Sequence, residues 1–363
     1  MVSGDPDLTW LQWVDREFLS KTSRRQGLSL GCNDALFERQ MLAAGICRHL
    51  DGYDISPVAI AAANEASERD GIDASFYVAD VNALSLPPSH YDMVFSVMAM
   101  HHFVELESVL AQISRSLAPG GFLVLNEFVG ASRFQWTTAQ LDLATRILHL
   151  LPPSRRRVSD GSIREVLLAP DLTDMLRTDP FEAVRSADIV PLVYRYFDVV
   201  AHRDYGGSIL HILLHDILHN FDDDAAADRE VLQLLCGFEE LLIREGVLPS
   251  DFTVLVATKR SDAENLGPGL VSHHEATDLP AARSPRMRPA STQDSPTPQH
   301  SGSRPGDALL ARAATVDDQL KQKEIELEHL RHHVSALENG KVMRLLNALH
   351  RTVSVLSRQL DRG

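Results

Sequence analysis

Between residues 28 and 125, short apolar runs alternate with helical stretches five times, and this rhythm constrains the 363-residue chain more than any other feature. Leu28-Ser29-Leu30 ends in a turn at Gly31, and Tyr53 and Ile55 flank Asp54 at the end of a second run. Phe76-Tyr77-Val78-Ala79 is a third run, Met93-Val94-Phe95-Ser96-Val97 a fourth and Phe122–Leu125 a fifth. The intervening stretches carry helix signals. One spans about Asp34 to Gly45, where glycine suits a left-handed C-terminal position. The next has Ser56 as N-cap, Pro57 at the first helical position and Gly71 at the end. A third, around Glu105–Leu117, leads through Pro119-Gly120-Gly121 into the fifth run. Strand–helix alternation with short connections implies a parallel sheet covered on both faces. Phe197–His202 and Phe252–Thr258 are the expected last two strands.

Composition narrows the class. The 44% of apolar residues supply a substantial core, and no run of eighteen apolar residues predicts a membrane span. Met1-Val2-Ser3-Gly4-Asp5-Pro6 lacks the basic-then-apolar pattern of a secretion signal. Cys32, Cys47 and Cys236 form no disulfide framework and no metal-ligand spacing. Cytoplasmic residence is therefore expected, with possible contact at the inner face of the membrane through the tail. The 13 basic and 13 acidic residues after position 260 cancel, so the whole net charge of −15 lies in residues 1–260. A domain that acidic is poorly suited to gripping a nucleic-acid backbone, and no nucleic-acid partner is expected.

Three regions separate. Residues 1–260 carry the alternating pattern. Residues 261–312 read as a disordered linker, with seven prolines among small polar residues between 262 and 308. Over 313–360, Val316, Leu320, Leu327, Leu330, Val334 and Leu337 fit a 4-3 repeat interrupted by Lys323, which predicts a coiled coil. After Gly340 the pattern restarts from Val342 to Leu360 alongside Lys341, Arg344, Arg351, Arg358 and Arg362, a basic amphipathic helix suited to an anionic membrane surface or a partner. Self-association through this tail is the simpler expectation.

In doubly wound sheets ligands bind beyond the carboxyl ends of the strands, so the residues just after each strand are the informative ones. Gly31 lets backbone approach a ligand, and the helix after it offers free N–H groups to a carboxylate. Asp54 can accept both hydroxyl hydrogens of a ribose, and Asp80 can accept from the exocyclic amine of adenine. His101-His102 follow the fourth strand and Glu127 ends the fifth; these three are the candidate bases, with Asp204 behind them.

Taken in order, these residues resemble the class I S-adenosylmethionine-dependent methyltransferases. Leu28-Ser29-Leu30-Gly31-Cys32 resembles motif I, Gly52-Tyr53-Asp54-Ile55-Ser56 motif II and Ala79-Asp80 the adenine-contacting motif. Tyr91-Asp92-Met93-Val94 and Leu117-Ala118-Pro119-Gly120-Gly121 resemble the opening of strand four and the turn before strand five. The resemblance implies a Rossmann-like doubly wound, mostly parallel seven-stranded α/β sheet over 1–260. It also implies S-adenosylmethionine as cofactor, held by Ser29, Gly31, Asn33, Asp54, Ile55, Asp80, Val81 and Met98. Motif I departs from the family pattern: Ser29 stands at its acidic position, and Asn33 and Ala35 stand at its second and third glycines.

A narrower stretch, Leu125 to Trp136, with Tyr205-Gly206-Gly207 and Leu248-Pro249-Ser250-Asp251-Phe252, looks like bacterial methyltransferases associated with glycosyltransferases of surface-polysaccharide synthesis. It implies a saccharide-containing acceptor and a glycosyltransferase partner. Residues 130–190 are expected to form a helical lid insertion. Arg133, Arg155, Arg156, Arg157 and Arg185 within it could pair with an acidic acceptor or with the acidic domain itself, and Phe134 and Trp136 could stack on a sugar or fill the lid core. His211, His215 and His219 are expected on one helix face; with Ile212 and Asp216 where a metalloprotease glutamate would stand, no metal site is expected. Two rivals remain: a non-catalytic scaffold that organises a glycan-assembly complex, and a nicotinamide oxidoreductase. The second needs glycines where Asn33 and Leu36 stand.

Overall fold

The computed structural model describes residues 2–5, 7–21, 26–222 and 224–260; the linker expected over 261–312 and the helices expected over 313–360 lie outside the described residues. Among the described residues the strands are β1 (Gln26–Leu30), β2 (His49–Asp54), β3 (Ala74–Val78), β4 (Tyr91–Val97), β5 (Leu117–Phe128), β6 (Phe197–Gly206) and β7 (Phe252–Lys259). They form one sheet in the order β3-β2-β1-β4-β5-β7-β6. Strands β1 to β5 run parallel, and β7 is antiparallel to both of its neighbours. The mostly parallel, seven-stranded Rossmann-like sheet expected from the alternation is the one observed. Winding runs outward from β1 in both directions, so a crevice opens beyond the carboxyl ends of β1 and β4.

The helices are α1 (Trp10–Glu17), α2 (Leu36–Ala43), α3 (Pro57–Asp70), α4 (Leu106–Ser116), α5 (Thr138–Leu148), α6 (Leu172–Thr178), α7 (Ser186–Tyr196), α8 (Leu210–Leu214) and α9 (Ala226–Arg244). Strand side chains alternate between the two helix layers. Met93, Phe95, Val124, Val254 and Val256 pack with Trp13, Met41 and Ile60 of α1 to α3. Leu28, Leu30, Val94, Leu123, Leu125 and Leu255 pack with Val109, Leu110 and Ile113 of α4 and Ile189 and Val193 of α7. A third apolar cluster joins Ala144 and Leu148 of α5, Leu210 and Leu213 of α8, and Leu232 and Cys236 of α9. No helix of the described residues is long and apolar enough to cross a membrane.

Local signals are obeyed where backbone chemistry is unambiguous. Ser56 caps α3 by accepting from the Ala59 N–H, Pro57 opens the helix, and Gly71 ends it at φ 65°. Helix α2 starts at Leu36, later than expected, because Asn33 and Ala35 both take left-handed φ, 47° and 55°. Two expectations are corrected. The last residues of the expected insertion, 186–190, belong to α7, whose Ile189 and Val193 are part of the sheet covering. The three histidines do not share a helix face: α8 ends at Leu214, Asp216 turns left-handed at φ 58°, and His219 lies on a separate turn over Leu218–Asn220.

Candidate active site

The crevice begins at the turn after β1. Gly31 has φ 78°, and a Cβ there would lie 2.3 Å from the Ala99 Cβ, so any side chain would displace the loop after β4. The Gly31 N–H donates to the Tyr53 carbonyl at 2.8 Å. Asp54 ties the ends of β1 and β2 together: Oδ2 accepts from the Asn33 N–H and Oδ1 from the Ser56 N–H, each at 2.9 Å. Each oxygen keeps a second lone pair for a ligand hydroxyl. Ile55, beside it, is 67% exposed, and Met98, after β4, is 39% exposed at a left-handed φ of 51°. Asp80 at the end of β3 is exposed and caps the turn Val81–Ala83, while Val81 is buried beneath. A half-buried carboxylate after β2, an exposed one after β3 and bare apolar side chains at these strand ends fit a nucleoside with a ribose diol.

Ser29 does not face this crevice. It is buried on β1 and donates to Oε1 of Glu38 on α2 at 2.6 Å. Burial pushes the Glu38 carboxyl up to about 7, against the opposing pull of the Ser29 bond. The motif position expected to help hold cofactor is thus part of a buried polar pair beneath the turn. Sequence reasoning missed Glu38, whose only signal was an acid one helical turn into the segment after a motif that lacks its own.

Across the crevice, Glu127 ends β5 fully buried. Its Oε2 accepts from the Ala99 and Met100 N–H groups at 2.9 and 2.7 Å, and its Oε1 accepts from the Phe128 N–H at 2.8 Å. Oε1 also receives His101 Nδ1 at 2.5 Å. A carboxylate on Nδ1 fixes that proton there and leaves Nε2 as the free nitrogen of the neutral ring. Burial pulls the His101 pKa down, but the charge and hydrogen bond of Glu127 outweigh it, with help from Glu182 and Asp179, and the net direction is up. His102 goes the other way, lowered by burial and by the neighbouring His101. The two rings lie 4.2 Å apart between centroids.

Glu182 completes this cluster and was not anticipated. It comes from the irregular stretch between α6 and α7, where no motif or periodicity marks it. Its Oε1 lies 3.6 Å from His101 Nε2 and its Oε2 lies 3.8 Å from His102 Nε2. The segment is stitched to the site by backbone: Val184 N–H donates to the His101 carbonyl at 3.0 Å and Arg133 N–H to the Ala183 carbonyl at 2.7 Å. Arg185 clamps Glu107 through two bonds of 2.7 Å. His101, His102 and Glu182 also present ligand atoms within 4.8 Å of one another, a spacing that a metal ion can use.

The other candidates find partners inside the protein. Arg155 pairs with Asp228 and Arg156 with Glu165, and Arg157 donates to the Gly161 carbonyl. Arg133 donates to the Glu182 carbonyl at 3.3 Å and so stands beside the site. Phe134 and Trp136 stack on each other at 5.3 Å, and His211 lies edge-on to both, to Phe128 and to Phe252. Burial lowers the His211 pKa to about 4, so the ring is a neutral part of this aromatic cluster. Asp204 lies on the edge strand β6 and pairs with His202 at 3.0 Å.

Residues 28–125 match a family described as a methyltransferase domain. A demethylmenaquinone methyltransferase of Thermus thermophilus is 31% identical over 129 residues, 35% of this chain and 58% of its own length. A 27-O-demethylrifamycin SV methyltransferase of Amycolatopsis mediterranei is 29% identical over 104 residues, 28% of this chain and 38% of its own. The chain thus spans about a third to three-fifths of the length of the curated relatives it matches. Among solved structures, an S-adenosylmethionine-dependent methyltransferase from Mesorhizobium loti is 16% identical, covering 65% of this chain and 90% of that one, with a TM-score of 0.38. The family match runs from β1 into β5 and takes in Gly31, Asp54, Asp80 and the His101 loop, so the nucleoside end of the crevice lies within the stretch similar to methyltransferase domains, whose cofactor is S-adenosylmethionine, while Glu127 and Glu182 lie beyond it.

Proposed function

We propose that the protein transfers a methyl group from S-adenosylmethionine to an acceptor hydroxyl, with His101 as general base. The observation that carries this reading is the buried His101–Glu127 pair, set across the Gly31–Ala99 contact from Asp54. The cofactor supplies a methyl group on a positively charged sulfur, whose bond to carbon breaks with its electron pair going to sulfur. The chain's own residues do the rest. Asp54 and Asp80 hold ribose and adenine, and the Gly31 turn lets the amino-acid end approach the backbone. Glu127 keeps the His101 proton on Nδ1, so Nε2 takes the acceptor's proton as the new oxygen–carbon bond forms.

The acceptor in this reading contains a saccharide, and the reaction serves surface-polysaccharide synthesis. Supporting it is the convergence of the segments that carry the narrower resemblance: Val129 N–H donates to the Asp251 carbonyl at 2.7 Å, Trp136 Nε1 to Asp251 Oδ2 at 2.8 Å, and Asp251 N–H to the Gly206 carbonyl at 3.1 Å. The relative named for a 27-O-methylation favours oxygen as the acceptor atom. The reading extends to the tail, whose basic and heptad patterns after residue 313 support self-association and recruitment to a glycosyltransferase at the cytoplasmic side of a membrane.

Calorimetry with S-adenosylmethionine and S-adenosylhomocysteine tests the core of the proposal. Asp54→Ala should weaken cofactor binding by about 1–3 kcal/mol, the scale of lost charge-assisted hydrogen bonds. No heat from the unaltered protein would return the field to a scaffold that organises a glycan-assembly complex. A screen of nucleotide sugars and glycan fragments with methyl-labelled cofactor, read by mass spectrometry, then identifies the acceptor.

A further inference from the structure

From the His101–His102–Glu182 cluster we infer that the acceptor is a vicinal diol, gripped through both hydroxyls. The inference rests on the methyl-transfer reading and adds to it the feature that selects the substrate. With the proton of His101 held on Nδ1 by Glu127, Nε2 is an acceptor, and it faces Glu182 Oε1, also an acceptor, at 3.6 Å. The two opposed acceptors each call for a donor of their own. A parallel gap of 3.8 Å separates Glu182 Oε2 from His102 Nε2. Both distances exceed a direct hydrogen bond, and there is one gap for each carboxylate oxygen.

Two adjacent hydroxyls fill this arrangement. The first donates to His101 Nε2; it loses that proton there and gains the methyl group, while the sulfonium becomes a thioether. The second donates to Glu182 and accepts from His102 when that ring carries its proton on Nε2. A lone hydroxyl satisfies one gap and leaves Glu182 half-buried without a donor. Backbone bonds on either side, from Val184 to His101 and from Arg133 to Ala183, hold Glu182 in place, so the spacing belongs to the fold.

The test is calorimetry on the S-adenosylhomocysteine-loaded protein with matched probes: catechol against phenol, and cis-1,2-cyclohexanediol against cyclohexanol. At least one diol should bind about 10–100-fold more tightly than its mono-hydroxyl counterpart, the worth of one hydrogen bond to a charged group. Glu182→Ala should erase that preference, and Glu182→Gln should keep part of it, with melting temperature and S-adenosylhomocysteine affinity unchanged. Equal binding of diols and mono-ols, no diol binding, a preference for 2-amino probes, or a diol preference surviving in Glu182→Ala each overturns the inference. So does a stoichiometric divalent metal whose chelation removes acceptor binding. Absence of heat with S-adenosylhomocysteine itself would instead defeat the methyl-transfer reading.

Discussion

Glu127 and Glu239 perform the same backbone task in two regions of the molecule. Glu239 on α9, 3% exposed, accepts from the Gly207, Ile209 and Leu210 N–H groups at 2.9, 2.6 and 2.9 Å and so fixes the start of α8. Glu127 accepts from three N–H groups too and fixes the loop after β4. Burial raises the Glu239 pKa against the pull of its three bonds. The difference lies in the fourth partner, since Glu127 alone also holds an imidazole. A buried carboxylate among amides is thus a structural device; in the proposed reading it acquires chemistry through the added ring, whose second nitrogen faces Glu182.

Substitutions can break that comparison. The largest effect should come from Glu127→Ala, which removes both loop anchor and imidazole partner and should lower kcat about 10²–10⁴-fold, the scale of a general base. The milder Glu127→Gln sharpens the point through pH. The rate in this reading requires neutral His101, so it falls as pH drops through the raised His101 pKa; without the Glu127 charge, burial is opposed only by Glu182 and Asp179, and this acid limb should move to lower pH. An unmoved limb would show that His101 is not the base.

Next comes Glu38. Its folded pKa of about 7 lies above the unfolded value, so its contribution to stability is full below about pH 4.5 and is lost as pH rises through 7. Glu38→Gln should remove up to roughly 3 kcal/mol of that pH dependence, read from urea unfolding between pH 4.5 and 7.5. The smallest effect is expected for Glu239→Gln: about 1–2 kcal/mol of stability, with the acid limb of the rate unmoved. A shifted limb there would mean that the two glutamates are not separable.

The sheet was legible because short apolar runs and strong punctuation between them coincide. Ser56, Pro57 and Gly71 bound one helix by local chemistry alone. The strand-end rule located Asp54, Asp80, His101 and Glu127, since topology carries residues after parallel strands to one edge. What sequence could not supply was contact between irregular segments. Glu182 reaches the histidines only because Val184 and Arg133 cross-link two loops, and no periodicity encodes that. The histidine series misled for a related reason: spacing of four assumes an unbroken helix, and left-handed Asp216 breaks it. Ser29 looked like a weakened cofactor residue because its partner, Glu38, sits on the next helix.

The absent side chain at position 31 has a longer reach than its own turn. Asp54 holds Asn33 by its amide, Gly31 rests on Ala99, the Ala99 amide is bound to Glu127, and Glu127 holds His101. In the proposed reading, the nucleoside end of the crevice and the proton-accepting ring are joined by this run of contacts. A side chain at position 31 would have to push Ala99, and with it the amide that Glu127 holds. Positions 31 and 99 are then free to change over evolutionary time only as a pair, and a broader cofactor turn would have to arrive together with a re-aimed base.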